Sequence, residues 1–159
     1  MSEGNTRFMI RPGRSHRDIL DDIRGEGKFA EFLILAWGIM EVFLDNAILT
    51  EFIPAGTSTQ KARYLVERTF DRKLNLMRSL SYLSDDEYGG VNKCQKARND
   101  LFHNGGVFVL NLGKAKEEEL MDDATKAVDA IYSLHDRVSS HAPLVDSKPA
   151  AESSQGVIE

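Results

Sequence analysis

Apolar residues recur at three- and four-residue spacing through most of this chain, the period of amphipathic helices rather than strands. The strongest stretch covers residues 28–51, where Phe29, Phe32, Leu33, Ala36, Trp37, Met40, Phe43, Leu44, Ala47 and Ile48 trace one broad face. Ile34, Leu35, Ile39 and Val42 widen that face, so the helix is expected to be buried on most sides. Glu31, Gly38, Glu41 and Asp45 are left on one narrow polar line at the helical turn angle. The longest apolar run, Phe32 to Met40, is nine residues. A membrane span needs roughly 20, so the run reads as core.

Other elements follow from their end signals. Ser15 with Asp18 opens a short helix carrying Ile19, Leu20 and Ile23, and Gly25 and Gly27 are expected to separate it from the long one, a single continuous helix being the alternative. Pro54 and Gly56 stop the long helix, and Thr57 with Gln60 forms a capping box for the next. Ala62, Leu65, Val66, Phe70, Leu74, Met77, Leu80 and Leu83 keep helical spacing to residue 84, with a kink expected near Thr69. After Asp85-Asp86-Glu87 and Gly89-Gly90, a further helix carries Val91, Cys94, Arg98, Leu101 and Phe102 on one face. Asn104-Gly105-Gly106 closes it, since Asn and Gly tolerate left-handed backbone at a helix end. Residues 107–110 form a short apolar run, read as a strand fragment or an extended segment packed on the core. The last helix covers 116–139, with Leu120, Met121, Ala124, Val128, Ile131, Leu134 and Val138 inward and an acidic start that suits the helix dipole. The expected fold class is all-α, an antiparallel bundle of four to five helices over 15–140. A polar arm at 1–14 precedes it, and a Pro-, Ser- and charge-rich tail at 141–159, expected to be disordered, follows.

Composition narrows the function classes. The 159 residues fit one domain with a substantial core. A single cysteine, Cys94, rules out an intrachain disulfide and suits a reducing cytoplasm; no signal-peptide stretch opens the chain. There is no Gly-rich phosphate loop, CxxC or HExxH, and His16, His103, His135 and His141 are scattered, so no metal or cofactor is expected. Asp85-Asp86-Glu87 reads as a dipole complement and Cys94 as a core residue rather than a nucleophile. A net charge of −5 argues against a surface that binds polyanions throughout. By segment the picture differs: residues 61–98 hold nine bases and five acids, 29–60 hold no base, and 114–137 hold four bases against seven acids. Phosphate ligands concentrate cations where they bind, although an ordinary solvated helix face looks the same. No aromatic–basic interleaving of the kind that stacks single strands is evident along the chain.

The informative segment is Arg98-Asn99-Asp100-Leu101-Phe102-His103-Asn104-Gly105. The bare Arg-to-His spacing carries little, because about one match is expected by chance. Indeed Arg11 and His16 match it across Pro12 and Gly13, where no continuous helix can run. Context separates the second occurrence: it ends a helix with inward apolar residues, places Asn directly after Arg, and stops at Asn-Gly. The Arg98-Asn99-x-x-x-His103 signature, late in a small helical chain and followed by one more helix, resembles the HEPN superfamily (higher eukaryotes and prokaryotes nucleotide-binding domain) over residues 15–140. The long apolar helix near the start with an internal acid, Glu41, is similar too. This resemblance implies a homodimeric, metal-independent endoribonuclease of toxin, stress or phage-defence systems, with Arg98, Asn99 and His103 catalytic and an antitoxin or other regulatory protein as a further partner. Other members are non-catalytic modules that bind RNA, a nucleotide or a partner protein. One subgroup, paired with a nucleotidyltransferase antitoxin, carries tyrosine two residues after the histidine; here that residue is Gly105.

The residues suit that chemistry on their own terms. Cutting RNA without a metal needs a base for the 2′-hydroxyl proton and a donor for charge growing on the phosphate. Histidine acts in either protonation state near neutral pH, and a guanidinium donates bidentately to phosphate oxygens. Five residues is about 500° of helix, so Arg98 and His103 sit some 140° apart. Arg98 can reach around, or His103 can turn inward at a fraying last turn. More economically, a second copy across a two-fold axis supplies two histidines, one acid and one base. Asn99, one turn before His103, is placed to orient the imidazole or bind phosphate. The plain alternative pairs Arg98 with acids near Asp100 or on the last helix and leaves His103 as a dipole complement. The competing function is a catalytically silent helical module; a transcription-linked regulator is a third, without a helix-turn-helix signature.

Overall fold

A computed structural model describes residues 14–53 and 59–144, and among them the chain is all-α, with six helices and no strand. The N-terminal arm up to residue 13, the stop at Pro54 and Gly56, the box that rests on Thr57, and the tail from 145 lie outside the described residues. Ser15 caps α1 (His16–Gly25): its hydroxyl accepts from the Asp18 amide at 3.1 Å, and the Ser15 amide donates to the Asp18 carboxylate at 2.9 Å. The helix closes on Gly27, whose φ of +69° lets its amide donate to the Arg24 carbonyl and the Lys28 amide to that of Ile23. That paired arrangement satisfies carbonyls a helix end otherwise strands.

The long apolar helix is α2 (Phe29–Phe52), and it is the centre of the bundle. It packs on α1, α3 (Thr59–Val66), α4 (Phe70–Ser79) and α5 (Asp85–Leu112), and most extensively on α6 (Lys114–Ser139). By length and composition alone it is apolar enough to cross a membrane, and half of its most apolar window is buried inside the fold. Burial on most sides is only partly observed, since Ile34 and Val42 stay exposed. The kink read near Thr69 is a full break between α3 (Thr59–Val66) and α4 (Phe70–Ser79), with Thr69 as the extended N-cap residue. Lys73 of α4 is only 2 % exposed; its ammonium lies 2.5 Å from Asp45 and 3.9 Å from Glu41 on α2. The C-terminal part of the polar line of α2, Glu41 and Asp45, therefore faces α4 through Lys73, while Glu31 meets Lys28.

Two more helix ends use left-handed residues that are not glycine, Ser81 after α4 (φ +61°) and His141 after α6 (Lys114–Ser139; φ +50°). The first corner is braced from three directions. Ser84 and Glu87 form a reciprocal cap on α5 (Asp85–Leu112), Arg78 pairs with Asp85 at 2.7 Å, and the Leu144 amide donates to the Ser81 carbonyl at 2.6 Å. Arg137 of α6 grips Glu87 with both terminal nitrogens, at 2.5 and 3.0 Å, and also donates to the Tyr82 carbonyl at 2.6 Å. The acids at the start of α5 thus cap and pair as well as face a dipole.

Residues 107–110 are helical, not extended. Gly105, at φ +48° and ψ −128°, closes the first segment of α5 as Asn104-Gly105-Gly106 leads one to expect, and a second helical segment runs on to Leu112. Four consecutive apolar residues carry no period, so their sequence cannot separate strand from helix. The described residues hold six helices, one of them in two segments, an all-α bundle as expected, with four to five an approximate count. A Cβ at Gly105 meets nothing within 4 Å, so any cost there comes from backbone alone. Gly105→Ala is expected to destabilise the fold by about 1–3 kcal/mol in urea unfolding; an unchanged midpoint would show that the break is soft.

Candidate anion site on the fifth helix

The buried line of α5 runs through Val91, Cys94, Ala97 and Leu101. Arg98 lies beside that line and turns toward α2. Its guanidinium carbon is 5.2 Å from the ring centre of Trp37 and 4.3 Å from that of Phe102. One terminal nitrogen donates to the Asn99 side-chain oxygen at 3.0 Å, while Nε is buried with no hydrogen-bond partner. A buried N–H left without an acceptor costs about 1–3 kcal/mol.

Arg14, Arg17, Arg24, Arg78 and Arg137 each pair with a carboxylate. Arg98 has no such partner among the described residues, so the reading in which acids near Asp100 or on the last helix neutralise it is not what the fold does. A half-buried guanidinium with no counter-charge is an arrangement that an anion completes, although Nε itself is sealed from any outside ligand.

His103 stands apart. Its side chain is exposed and makes no hydrogen bond, ion pair or ring contact among the described residues. It lies in the last turn before the Gly105 break, as expected, but its side chain does not turn inward. Arg98 does not reach around to His103, and Asn99 accepts from Arg98 instead of orienting the imidazole. One chain thus brings Arg98 and Asn99 together and leaves His103 exposed on the next turn.

The basic stretch at 61–98 does not form one patch. Lys73 and Arg78 are neutralised by acids of α2 and α5. Lys93 and Lys96 line a cleft of about 400 Å³ toward α6, shared with Asp100, Glu119 and Asp123. Among the described residues no three His, Cys, Asp or Glu side chains cluster as metal ligands do. Cys94 is buried, and burial, then the charge of Asp123, pushes its thiol up to about 12. Native protein at pH 8 is expected to resist iodoacetamide and to react only once unfolded; rapid native labelling would contradict its place in the core.

Sequence reading missed Trp37 and Phe70. They come from α2 and α4, and Phe70 packs on Trp37 with ring centres 4.1 Å apart. No linear signal connects them to Arg98, because the fold alone joins the three helices. Fold and site together define an all-α helical protein with an arginine held, uncompensated, near an exposed histidine on one helix. No family model matches the chain, and no curated protein or solved structure matches it significantly.

Proposed function

We propose that this protein is a homodimeric, metal-independent endoribonuclease of the HEPN type. The observation that carries the reading is Arg98: half-buried, held between Trp37 and Phe102, with no carboxylate beside it among the described residues. Such a cation favours a phosphate. His103, exposed and unpartnered on the next turn, is available to a ligand or to a second copy.

In this mechanism motif helices of two protomers line one cleft. His103 of one protomer takes the 2′-hydroxyl proton, the 2′-oxygen attacks phosphorus, and the P–O5′ bond breaks. The partner's His103 gives a proton to the departing 5′-oxygen. Arg98 stabilises charge on the equatorial phosphate oxygens, and Asn99 holds the guanidinium at 3.0 Å. The products are a 2′,3′-cyclic phosphate and a 5′-hydroxyl. Val107 and Leu110, 65 % and 86 % exposed just past the Gly105 break, supply apolar surface for the second copy.

A second reading has its own support. Arg98 and His103 do not meet within one chain, so a protein that stays monomeric binds phosphate without turning it over. Solution mass together with incubation of structured and single-stranded RNA in excess EDTA separates the two. A dimer that cuts RNA, and loses activity as Leu110→Glu drives it to monomer, supports the enzyme. A strict monomer that binds RNA without cutting it supports the silent module.

A further inference from the structure

Phe70, Trp37, Arg98 and Phe102 form a column that no single stretch of sequence displays. Phe70 packs on Trp37, with ring centres 4.1 Å apart and planes inclined by 43°. The guanidinium of Arg98 lies 5.2 Å from Trp37 and 4.3 Å over the ring of Phe102. The inner end is core, since Phe70 is only 7 % exposed, whereas Phe102 at the outer end is 57 % exposed. Aromatic rings alternating with a cation are the materials of a single-strand stacking surface. Here they are drawn from α2, α4 and α5.

We propose that Phe102 is a nucleobase-stacking platform of the phosphate site, and that the substrate is therefore RNA with an unpaired base next to the scissile phosphate. The inference rests on the ribonuclease reading and names the substrate class for that same site. One face of the Phe102 ring carries the guanidinium, and among the described residues no ring or cation lies on the other. Adjacency fixes the order of contacts: a phosphate on Arg98 places a flanking base over Phe102, and His103 follows directly in sequence. A base inside a duplex is already stacked on both faces and cannot offer one to the ring.

A second copy of this chain is the other occupant to weigh for Phe102. An apolar protein contact would desolvate the Arg98 guanidinium further and bring no anion to its charge, which is unfavourable. A nucleotide covers the ring and brings phosphate oxygens with it. Val107 and Leu110 offer apolar area for self-association without that penalty.

The test measures binding to the His103→Ala protein, so that RNA stays intact. The probes are a labelled U-rich single strand, the same strand in a duplex, and an abasic ribose–phosphate oligomer of equal length. Adding Phe102→Ala is expected to weaken single-strand binding about 10- to 100-fold, leave the abasic oligomer within roughly twofold, and be rescued by Phe102→Trp. Equal weakening of strand and abasic oligomer, or no weakening of either, overturns the platform. A change in solution mass on Phe102→Ala assigns the ring to contact between copies and overturns it too.

Failure of the ribonuclease reading looks different. Wild-type protein that binds unpaired RNA through Phe102 but never cuts it removes catalysis and keeps the platform. Phe102→Ala protein that cuts RNA as fast as wild type removes the platform alone. Wild-type protein that binds no RNA removes both.

Discussion

His103→Ala is expected to lower the rate of RNA cleavage about 10²- to 10⁴-fold, the contribution of a positioned acid or base. Folding is expected to be unaffected, because the side chain is exposed and unpartnered in the single chain. Arg98→Ala is expected to cost roughly 10²- to 10³-fold, as loss of a main transition-state donor does. Arg98→Lys is not expected to rescue it: a lysine gives up both the planar fork and the stack between Trp37 and Phe102. Asn99→Ala acts through Arg98, whose terminal nitrogen it holds, and a milder loss is expected. Single-turnover rates with each variant, alongside thermal unfolding, measure these effects. Cleavage that survives both Arg98→Ala and His103→Ala would remove these residues from the chemistry.

The largest stability effect is expected at Arg137 and Glu87, which join the end of α6 to the start of α5 and the corner before it. Arg137→Met removes a bidentate pair and the donor to the Tyr82 carbonyl, and leaves Glu87 largely enclosed without its cation. A loss of about 2–4 kcal/mol is expected in urea unfolding, near the range for breaking a sheltered pair by one partner. A loss under about 0.5 kcal/mol would place the pair with ordinary surface ion pairs. Burial pushes the Glu87 carboxyl up, but the hydrogen bonds from Arg137 and Ser84 outweigh it and hold the group below the ordinary carboxylate range. A carboxyl depressed by folding stabilises above its unfolded pKa, about 4.3, and that contribution fades as pH falls through the lower folded value. Wild-type stability is therefore expected to drop on acidification below about pH 4.3, and Glu87→Gln to flatten that part of the curve.

Helices with clear end signals were legible before any coordinates. Ser15 and Asp18, Gly27, and the inward positions of α2 and α6 follow from side-chain chemistry that acts within a turn or two. The corners at Ser81 and His141 were not legible, since both adopt a left-handed conformation that glycine normally signals. Residues 107–110 were misread for a related reason: Gly105 has the positive φ expected of a stop, yet the helix restarts behind it. At the site, the motif on α5 named Arg98, Asn99 and His103, but not how they lie. The direction of Arg98 is set by Trp37, 61 positions earlier in the chain, and a linear count of charges joined lysines that the fold sends to another cleft. Local rules specify elements; which side chains meet depends on packing between them.

In the proposed reaction the 2′-hydroxyl of RNA is the nucleophile, and His103 handles its proton without a metal. The most direct measurement incubates purified protein, in excess EDTA, with an RNA strand and with the same strand carrying one 2′-deoxy nucleotide at the cleavage position. The expected result is a 2′,3′-cyclic phosphate and a 5′-hydroxyl from the RNA, with no cut at the deoxy position and none with His103→Ala. A cut at the deoxy position, or a product ending in a 5′-phosphate, would contradict it.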